Sequence, residues 1–376
     1  MPETGRLKTV IVGGGVAALE AALALGALAP DSTERTVISP NDAFVLRALS
    51  VNEPFAAPAA RRWTLADILA LAGAAHIDSR LDSVDVAART VTLESGAQLD
   101  YDELILATGA DAVPRYAHAA TVDDHSMEAT LGGLVRDVEE GYVESVAFVS
   151  PPRPAWPLPL YELALMTATR AREMDVKLAV TIVTPEDAPL AIFGAQTSAT
   201  VAGLLDEQGI DVFLSSYAEI PRTGEVILSP GGRVLHVSRA VALPELFGPG
   251  VPGVPRSEHG FLKTDIHGRV EDAEHVWAAG DATTFGVKQG GISAQQADAV
   301  AEAIAAQSGA ALEPQPFRPV LAGVMFTGGE PLRLAARITG GDGAAPEPVP
   351  AGELEPADKL VSRFLTPVLD SLPELT

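Results

Sequence analysis

The sequence predicts an α/β protein with two Rossmann-like domains and a small C-terminal segment. Three observations carry that reading. The apolar run Leu7 to Val12 ends in the cluster Gly13-Gly14-Gly15, and apolar residues then recur at helical spacing from Val16 to Ala29. This is the strand–turn–helix opening of a doubly wound sheet. A second alternation of strand and helix patterns begins near Ser145, and the length of 376 residues corresponds to two domains at roughly 150 residues each.

The elements follow in order. Thr36-Val-Ile-Ser39 reads as the second strand of the opening unit. Residues 61–73 place Trp63, Leu65, Ile68 and Leu69 at helical spacing, 81–86 and 89–93 read as hairpin-like strands, and Tyr101 to Thr108 is a buried strand ending in Ala107-Thr108-Gly109. In the second block Val146 to Val149 is a strand, 159–173 a helix, Leu178 to Val183 a strand, Ser198 to Gln208 a helix and Val212 to Leu214 a strand. The chain returns through Phe261 to Asp265 and the strand Val276-Trp-Ala-Ala that precedes Gly280-Asp281, then enters a helix from Ile292 to about Gln307. Residues 341–356, rich in Gly, Pro, Ala and Glu, are expected to form a flexible loop. The stripe Leu360, Val361, Phe364, Leu365, Val368 and Leu369, interrupted by Pro367, reads as a short amphipathic helix docked on the body or on a second subunit, with peripheral membrane contact the less favoured use. The expected division is a discontinuous first domain, 1–115 and 250–312, a second domain, 116–249, and a C-terminal interface segment, 313–376.

Composition excludes several functions. The chain is 47% hydrophobic and 20% charged, as folded globular proteins are. Its 26 basic and 50 acidic residues give a net charge of −24, which repels phosphate backbones and anionic membrane surfaces and so argues against nucleic-acid binding. With no cysteine there is no disulfide, thiolate metal site, iron–sulfur cluster or Cys nucleophile. The start Met1-Pro-Glu-Thr-Gly-Arg lacks a signal-peptide pattern, and Val16 to Ala29 is short of the ~20 residues of a membrane span and carries Glu20. The expectation is a soluble cytoplasmic protein. The seven histidines show no metal-ligand spacing, so no metal is expected.

The residues that carry chemistry lie in three places. Gly13-Gly14-Gly15-Val-Ala-Ala18 fits Gly-x-Gly-x-x-Ala: Gly13 for the tight turn, Gly15 for backbone approach to a pyrophosphate, Ala18 for close helix–strand packing. The helix start adds partial positive charge. The second strand of such a unit ordinarily ends in a ribose-binding acid; here Ser39 stands near that position, with Asn41 and Asp42 as alternatives. In Val276-Trp-Ala-Ala-Gly280-Asp281 a strand ends in a carboxylate able to meet a polyol chain, or one that simply caps a helix. Lys288-Gln289-Gly290-Gly291 then leads into the last helix, whose N-terminus and Lys288 charge favour an anion.

These segments, with Tyr101-Asp-Glu-Leu-Ile-Leu-Ala-Thr108-Gly109, resemble the three FAD-binding signatures of the pyridine nucleotide–disulfide oxidoreductase superfamily. The spacing and the Lys-Gln-Gly-Gly stretch most resemble its sulfide:quinone oxidoreductase and type II NADH dehydrogenase branches. The resemblance implies non-covalent FAD held by Gly13, Gly14, Gly15, Ala18, Ser39, Thr108, Gly109, Gly280, Asp281, Lys288, Gln289, Gly290 and Gly291. Lys288 is the candidate for stabilising charge on the flavin.

Two departures bear on activity. The branch members that work through cysteines cannot be matched, since this chain has none. The NADH-using members carry a second glycine motif after the first strand of the second domain, where this chain has Ser150-Pro-Pro-Arg-Pro-Ala-Trp-Pro-Leu-Pro-Leu-Tyr161. Prolines lack N–H donors and stiffen the backbone, so NAD(P)H binding there is doubtful. Trp156 and Tyr161 either wall a pocket for an aromatic acceptor or pack the second domain. The function expected is oxidoreduction through flavin alone, between small-molecule partners, to a quinone or other small aromatic acceptor. The alternatives are a type II-like NAD(P)H dehydrogenase and a non-catalytic flavin-binding redox sensor; a homodimer fits either.

Overall fold

In the computed structural model, which describes residues 5–55, 60–338, 347–348, 356 and 358–375, two five-stranded parallel sheets organise the chain. The first runs Val276–Ala278, Glu103–Leu106, Leu7–Val12, Thr33–Ile38, Ala74–Ile77 in spatial order. Leu7–Val12 lies at its centre, with Val12 opposite Ile38 on one side and Leu106 on the other. The second sheet runs Ala120–Thr121, Arg239–Ala242, Ser145–Val149, Ala179–Val183, Asp211–Phe213. Asp111–Val113 and Glu245–Phe247 pair antiparallel where the chain passes between the two sheets. The α/β architecture expected from the sequence is the one observed.

The strand readings reflect burial. Glu103–Leu106 is buried throughout and Leu7–Val12 over its last four residues, as parallel strands covered on both faces must be. Val16–Leu28 has no amphipathic pattern because its sequence is apolar on all sides. From Ala17 to Leu25 every residue is buried, enclosed by the sheet, the helix Gly290–Gln307 and the C-terminal helix Leu365–Ser371.

Some elements escaped the sequence pattern. Residues 61–73 hold a short strand, Arg62–Thr64, paired with Ala43–Val45, and then the helix Leu65–Ala72. The helix Met127–Glu139, the antiparallel meander Tyr217–Arg222, Glu225–Ser229, Arg233–His236, the inner strand Arg239–Ala242 and the hairpin Val320–Met325 with Leu332–Arg337 were not read. Phe261 to Asp265 is extended chain with single bridges. The loop expected at 341–356 lies almost wholly outside the described residues.

The C-terminal stripe docks on the body. Leu360, Leu365 and Leu369 are buried in the first-domain core, and the Trp63 indole donates to the Leu369 carbonyl at 3.1 Å. A second anchor is ionic: Lys359 Nζ reaches Glu162 Oε1, both groups are nearly inaccessible, and Phe326 N donates to the same oxygen at 2.7 Å. Burial pushes the Glu162 carboxyl up and the Lys359 amine down, and each partner opposes the other's shift. Removing one member of such a pair strands a buried charge, at a cost of about 3–5 kcal/mol, whereas an apolar pair of similar volume is often neutral. Lys359→Met alone is expected to lower the denaturant midpoint markedly, and Lys359→Met with Glu162→Leu to recover most of the loss.

Candidate functional site

The C-terminal edge of the first sheet gathers the candidate residues from both ends of the chain. Gly13 has φ +134°, and a Cβ there would collide with the Ala107 carbonyl. The glycine turn therefore rests directly on the strand that ends in Thr108 and Gly109. A Cβ at Gly14 would run into the Ser39 hydroxyl, whereas one at Gly15 would meet nothing within 4 Å. Gly15 is the exposed N-cap of Val16–Leu28, with no side chain capping the helix and no acid in its first turn. The first-turn amides thus face open space above a close-packed floor in which Ala18 is fully buried.

Ser39 is inaccessible, and its hydroxyl accepts the Asn41 amide at 3.2 Å. It shapes the bend after the second strand. The exposed polar side chains at that bend are Asn41 and Asp42, with Asn41 Nδ2 against Gly14.

Gly280-Asp281 lies against this turn. Gly280 has φ +76°, and a Cβ on it would stand 3.0 Å from the Ala17 Cβ. The bend is held by the helix Gly290–Gln307: Gly280 N donates to Gln296 Oε1 at 2.7 Å, Gln296 Nε2 to Thr283 Oγ1 at 3.3 Å, and Ser293 Oγ to Asp281 Oδ1 at 3.3 Å. Gln296 was not singled out by motif; its place two turns into a helix after a Gly-Asp bend is the signal that could have found it.

Lys288 is buried. Its Nζ donates to the Thr283 carbonyl and sits 4.2 Å from the centre of the Phe261 ring. Burial lowers its pKa to about 8, opposed by Asp281. Burial raises the Asp281 carboxyl, and the nearby Lys288 charge opposes that. Gln289 is the N-cap: Oε1 accepts Ile292 N at 2.9 Å and Nε2 donates to the Ala322 carbonyl at 3.1 Å. The following glycines leave room for the C-terminal strap, with Leu360 Cδ1 at 3.1 Å from a Gly290 Cβ and the Val361 carbonyl at 3.2 Å from a Gly291 Cβ.

The second domain has the same strand–loop–helix–strand plan and fills it differently. The proline loop is pinned to the site by Lys288 N donating to the Ala155 carbonyl at 3.1 Å. Trp156 packs edge-on to Phe193, 5.9 Å between centroids, and Tyr161 is fully buried. Both serve second-domain packing. After the second strand of this unit, Ala179–Val183, comes Glu186, whose Oε2 accepts the Tyr161 hydroxyl at 2.6 Å and the Thr184 hydroxyl at 3.1 Å. This acid is engaged internally, and burial raises its pKa.

Asp123, Asp124 and His125 come together on an exposed loop, where Asp123 accepts from Ser126 Oγ at 2.6 Å and His125 N at 3.0 Å. Among the described residues no other such group of three arises.

These features define a dinucleotide-binding fold with its open turn in the first domain. Residues 7–139 match the family of pyridine nucleotide-disulphide oxidoreductases, so the resemblance read from the motifs holds over the N-terminal third. An NADH dehydrogenase-like protein of Mycobacterium tuberculosis is 35% identical over 111 residues, a stretch covering 28% of this chain and 27% of that protein. The chain thus aligns with about a quarter of that relative. The sulfide:quinone oxidoreductase of Aquifex aeolicus superposes with a TM-score of 0.74 at 20% identity, over 88% of this chain and 83% of that one. The Plasmodium falciparum protein NDH2, solved with NADH, gives 0.60 at 16% identity, over 74% and 64%. At such identities the likeness is one of fold.

The residues present fit a bound FAD on three observations. Open space stands over Gly15, a Cβ at Gly109 would meet nothing within 4 Å, and Thr108 Oγ1 is buried with no hydrogen-bond partner among the described residues. Gly15→Glu tests the turn. Its Cβ enters open space and an acid at a helix N-terminus is electrostatically tolerated, so apoprotein stability should change by less than ~1 kcal/mol. The carboxylate would oppose a pyrophosphate, so visible flavin absorbance retained after gel filtration should fall at least about tenfold. Unchanged retention would move the pyrophosphate elsewhere.

Proposed function

We propose that the protein is an FAD-dependent oxidoreductase in which electrons enter and leave through the flavin alone, to a quinone or other small aromatic acceptor. Gly13, Gly14, Gly15 and Ala18 hold the pyrophosphate, Asn41 or Asp42 meets the ribose beyond the Ser39 bend, Asp281 takes the ribityl hydroxyls, and Thr108 and Gly109 border the ring system. Bound flavin supplies reversible two-electron chemistry. The protein contributes the helix start at Gly290 and Gly291 and the Lys288 charge, both of which favour negative charge at that end.

One observation carries the choice against a pyridine nucleotide as donor: the second domain's phosphate turn is replaced by prolines and its ribose acid is committed to Tyr161 and Thr184. The chain has no cysteine, so no disulfide relays electrons. The second reading, an NAD(P)H dehydrogenase, is favoured by the relative bearing that name. No helix among the described residues is long and apolar enough to cross a membrane.

Anaerobic titration decides between the two readings. Photoreduced protein is expected to be reoxidised rapidly by a soluble quinone, and NADH and NADPH to bleach the flavin slowly and incompletely. Fast stoichiometric bleaching by either would establish the second reading.

Lys288→Ala probes the flavin end independently of substrate. Loss of the cation should lower the two-electron potential by ~30 mV or more, the equivalent of ~1.4 kcal/mol. Because the Lys288 pKa lies at about 8, wild type and variant should differ most below pH 8 and converge above it, as the amine loses its proton. Equal potentials at pH 7 with FAD bound would place Lys288 outside the site.

A further inference from the structure

The helix Gly290–Gln307 carries a polar stripe on a buried face. Gln289 at its N-cap, Ser293 and Gln296 follow one another at helical spacing, and all three are nearly inaccessible. A buried amide is costly unless its donors and acceptors are matched, and those of Gln296 are matched by the two ends of one short turn. Gly280 N donates to Oε1 at 2.7 Å, and Nε2 donates to Thr283 Oγ1 at 3.3 Å. The Thr283 hydroxyl closes the ring by donating to the Gly280 carbonyl at 3.0 Å. A backbone N–H only donates, so the amide oxygen must face Gly280, which leaves the NH2 for Thr283. Neither an ionised Glu nor a Lys at 296 could serve both ends, because one lacks a donor and the other an acceptor.

The stapled turn carries the charged groups of the site. Asp281, its second residue, accepts from Ser293 Oγ at 3.3 Å. Thr283, its last residue, accepts the Lys288 ammonium on its carbonyl. The two opposite charges sense each other, yet each stays on its own anchor and they form no ion pair.

Given the flavin reading of this site, on which this inference rests, we propose that Gln296 is a positioning residue for its redox end: by stapling Gly280 to Thr283 it keeps the Lys288 cation apart from Asp281 and available to the flavin.

The consequence is electrostatic. An ammonium held by a neutral carbonyl keeps its full attraction for a third charge, whereas one paired with a carboxylate loses most of it. Without the staple the Thr283 carbonyl is free to turn and Lys288 to close on Asp281. The site then stabilises negative charge on the flavin less well, and the potential falls.

Flavin potentials at pH 7, measured against reference dyes, read this directly. Gln296→Met keeps a side chain of similar length and deletes both hydrogen bonds. Thr283→Val deletes the hydroxyl and leaves Gln296 in place, and Thr283→Ser keeps the hydroxyl. Gln296→Met and Thr283→Val should each shift the reduction equilibrium about tenfold toward oxidised flavin, ~30 mV for a two-electron couple. Thr283→Ser should stay within about twofold of wild type. In a Lys288→Ala background either substitution should change the equilibrium by less than about twofold, because the charge being positioned is gone. Should Gln296→Met release its FAD, the Thr283 variants give the same readout. Wild-type potentials in Gln296→Met and Thr283→Val, or a tenfold shift that persists without Lys288, would overturn the role of Gln296 and leave the flavin reading standing. Equal potentials in wild type and Lys288→Ala would remove Lys288 from the site, and wild-type protein that binds no FAD would remove the flavin reading itself; the role of Gln296 falls with either.

Discussion

A helix with no solvent face governs this structure. Val16–Leu28 is buried on the sheet side by strands from both ends of the chain, and on the others by Leu65–Ala72, Gly290–Gln307 and the C-terminal helix. At roughly 25 cal/mol per Å2 of apolar surface removed from water, its leucines and alanines contribute in full only when each of these partners covers its share. The first sheet and the core around this helix therefore draw on both ends of the chain. Residues from the far end of the chain must return to cover the helix that begins at Gly15. The same return brings Gly280 against Ala17, at the start of that helix.

The two α/β units share a plan and diverge at its chemically decisive points. In the first, the turn after the central strand is glycine, its amides are free of side-chain caps, and the bend after the second strand presents polar side chains outward. In the second, the turn is proline-rich and Trp156 packs on Phe193, while Tyr161 turns inward to hold Glu186. A buried tyrosine hydroxyl needs an acceptor, and the carboxylate at the end of the second strand provides it. The turn that is open in the first unit is closed by packing in the second, and the loop so stiffened backs the Lys288 peptide through Ala155.

Much of this was legible in the sequence, for identifiable reasons. The glycine turn and the Gly-Asp bend were readable because each combines a backbone constraint with a parallel strand, and burial makes such strands continuous apolar runs. The Pro loop was readable because proline removes donors wherever it stands. The strand Arg239–Ala242 was missed because it is only four residues long and opens on the polar pair Ser238-Arg239, although it is buried beside the second sheet's central strand. Met127–Glu139 was missed because Gly132 and Gly133 lie in its middle. Gln296 and Glu186 were invisible as chemistry, because each matters through a partner more than a dozen residues away. Ser39 and Gln289 were found by motif, but their local hydrogen bonds, to the Asn41 amide and to the Ile292 amide, are visible only in three dimensions.

Charge placement connects these observations. The chain has five lysines against 50 acidic residues, yet Lys288 and Lys359 are both buried. Burying an ammonium costs several kcal/mol unless a partner offsets it, and in a protein of net charge −24 solvent-exposed positions offer a lysine ample favourable potential. Each buried lysine instead lies near a buried or partly buried carboxyl group: Lys288 near Asp281, Lys359 on Glu162. An arginine at 288 would keep its charge at every relevant pH and would need more donors satisfied than Thr283 and the Phe261 ring supply. A lysine needs fewer partners and can lose its proton near pH 8. The residue type at 288 thus places beside Asp281 a buried cation whose pKa burial lowers to about 8.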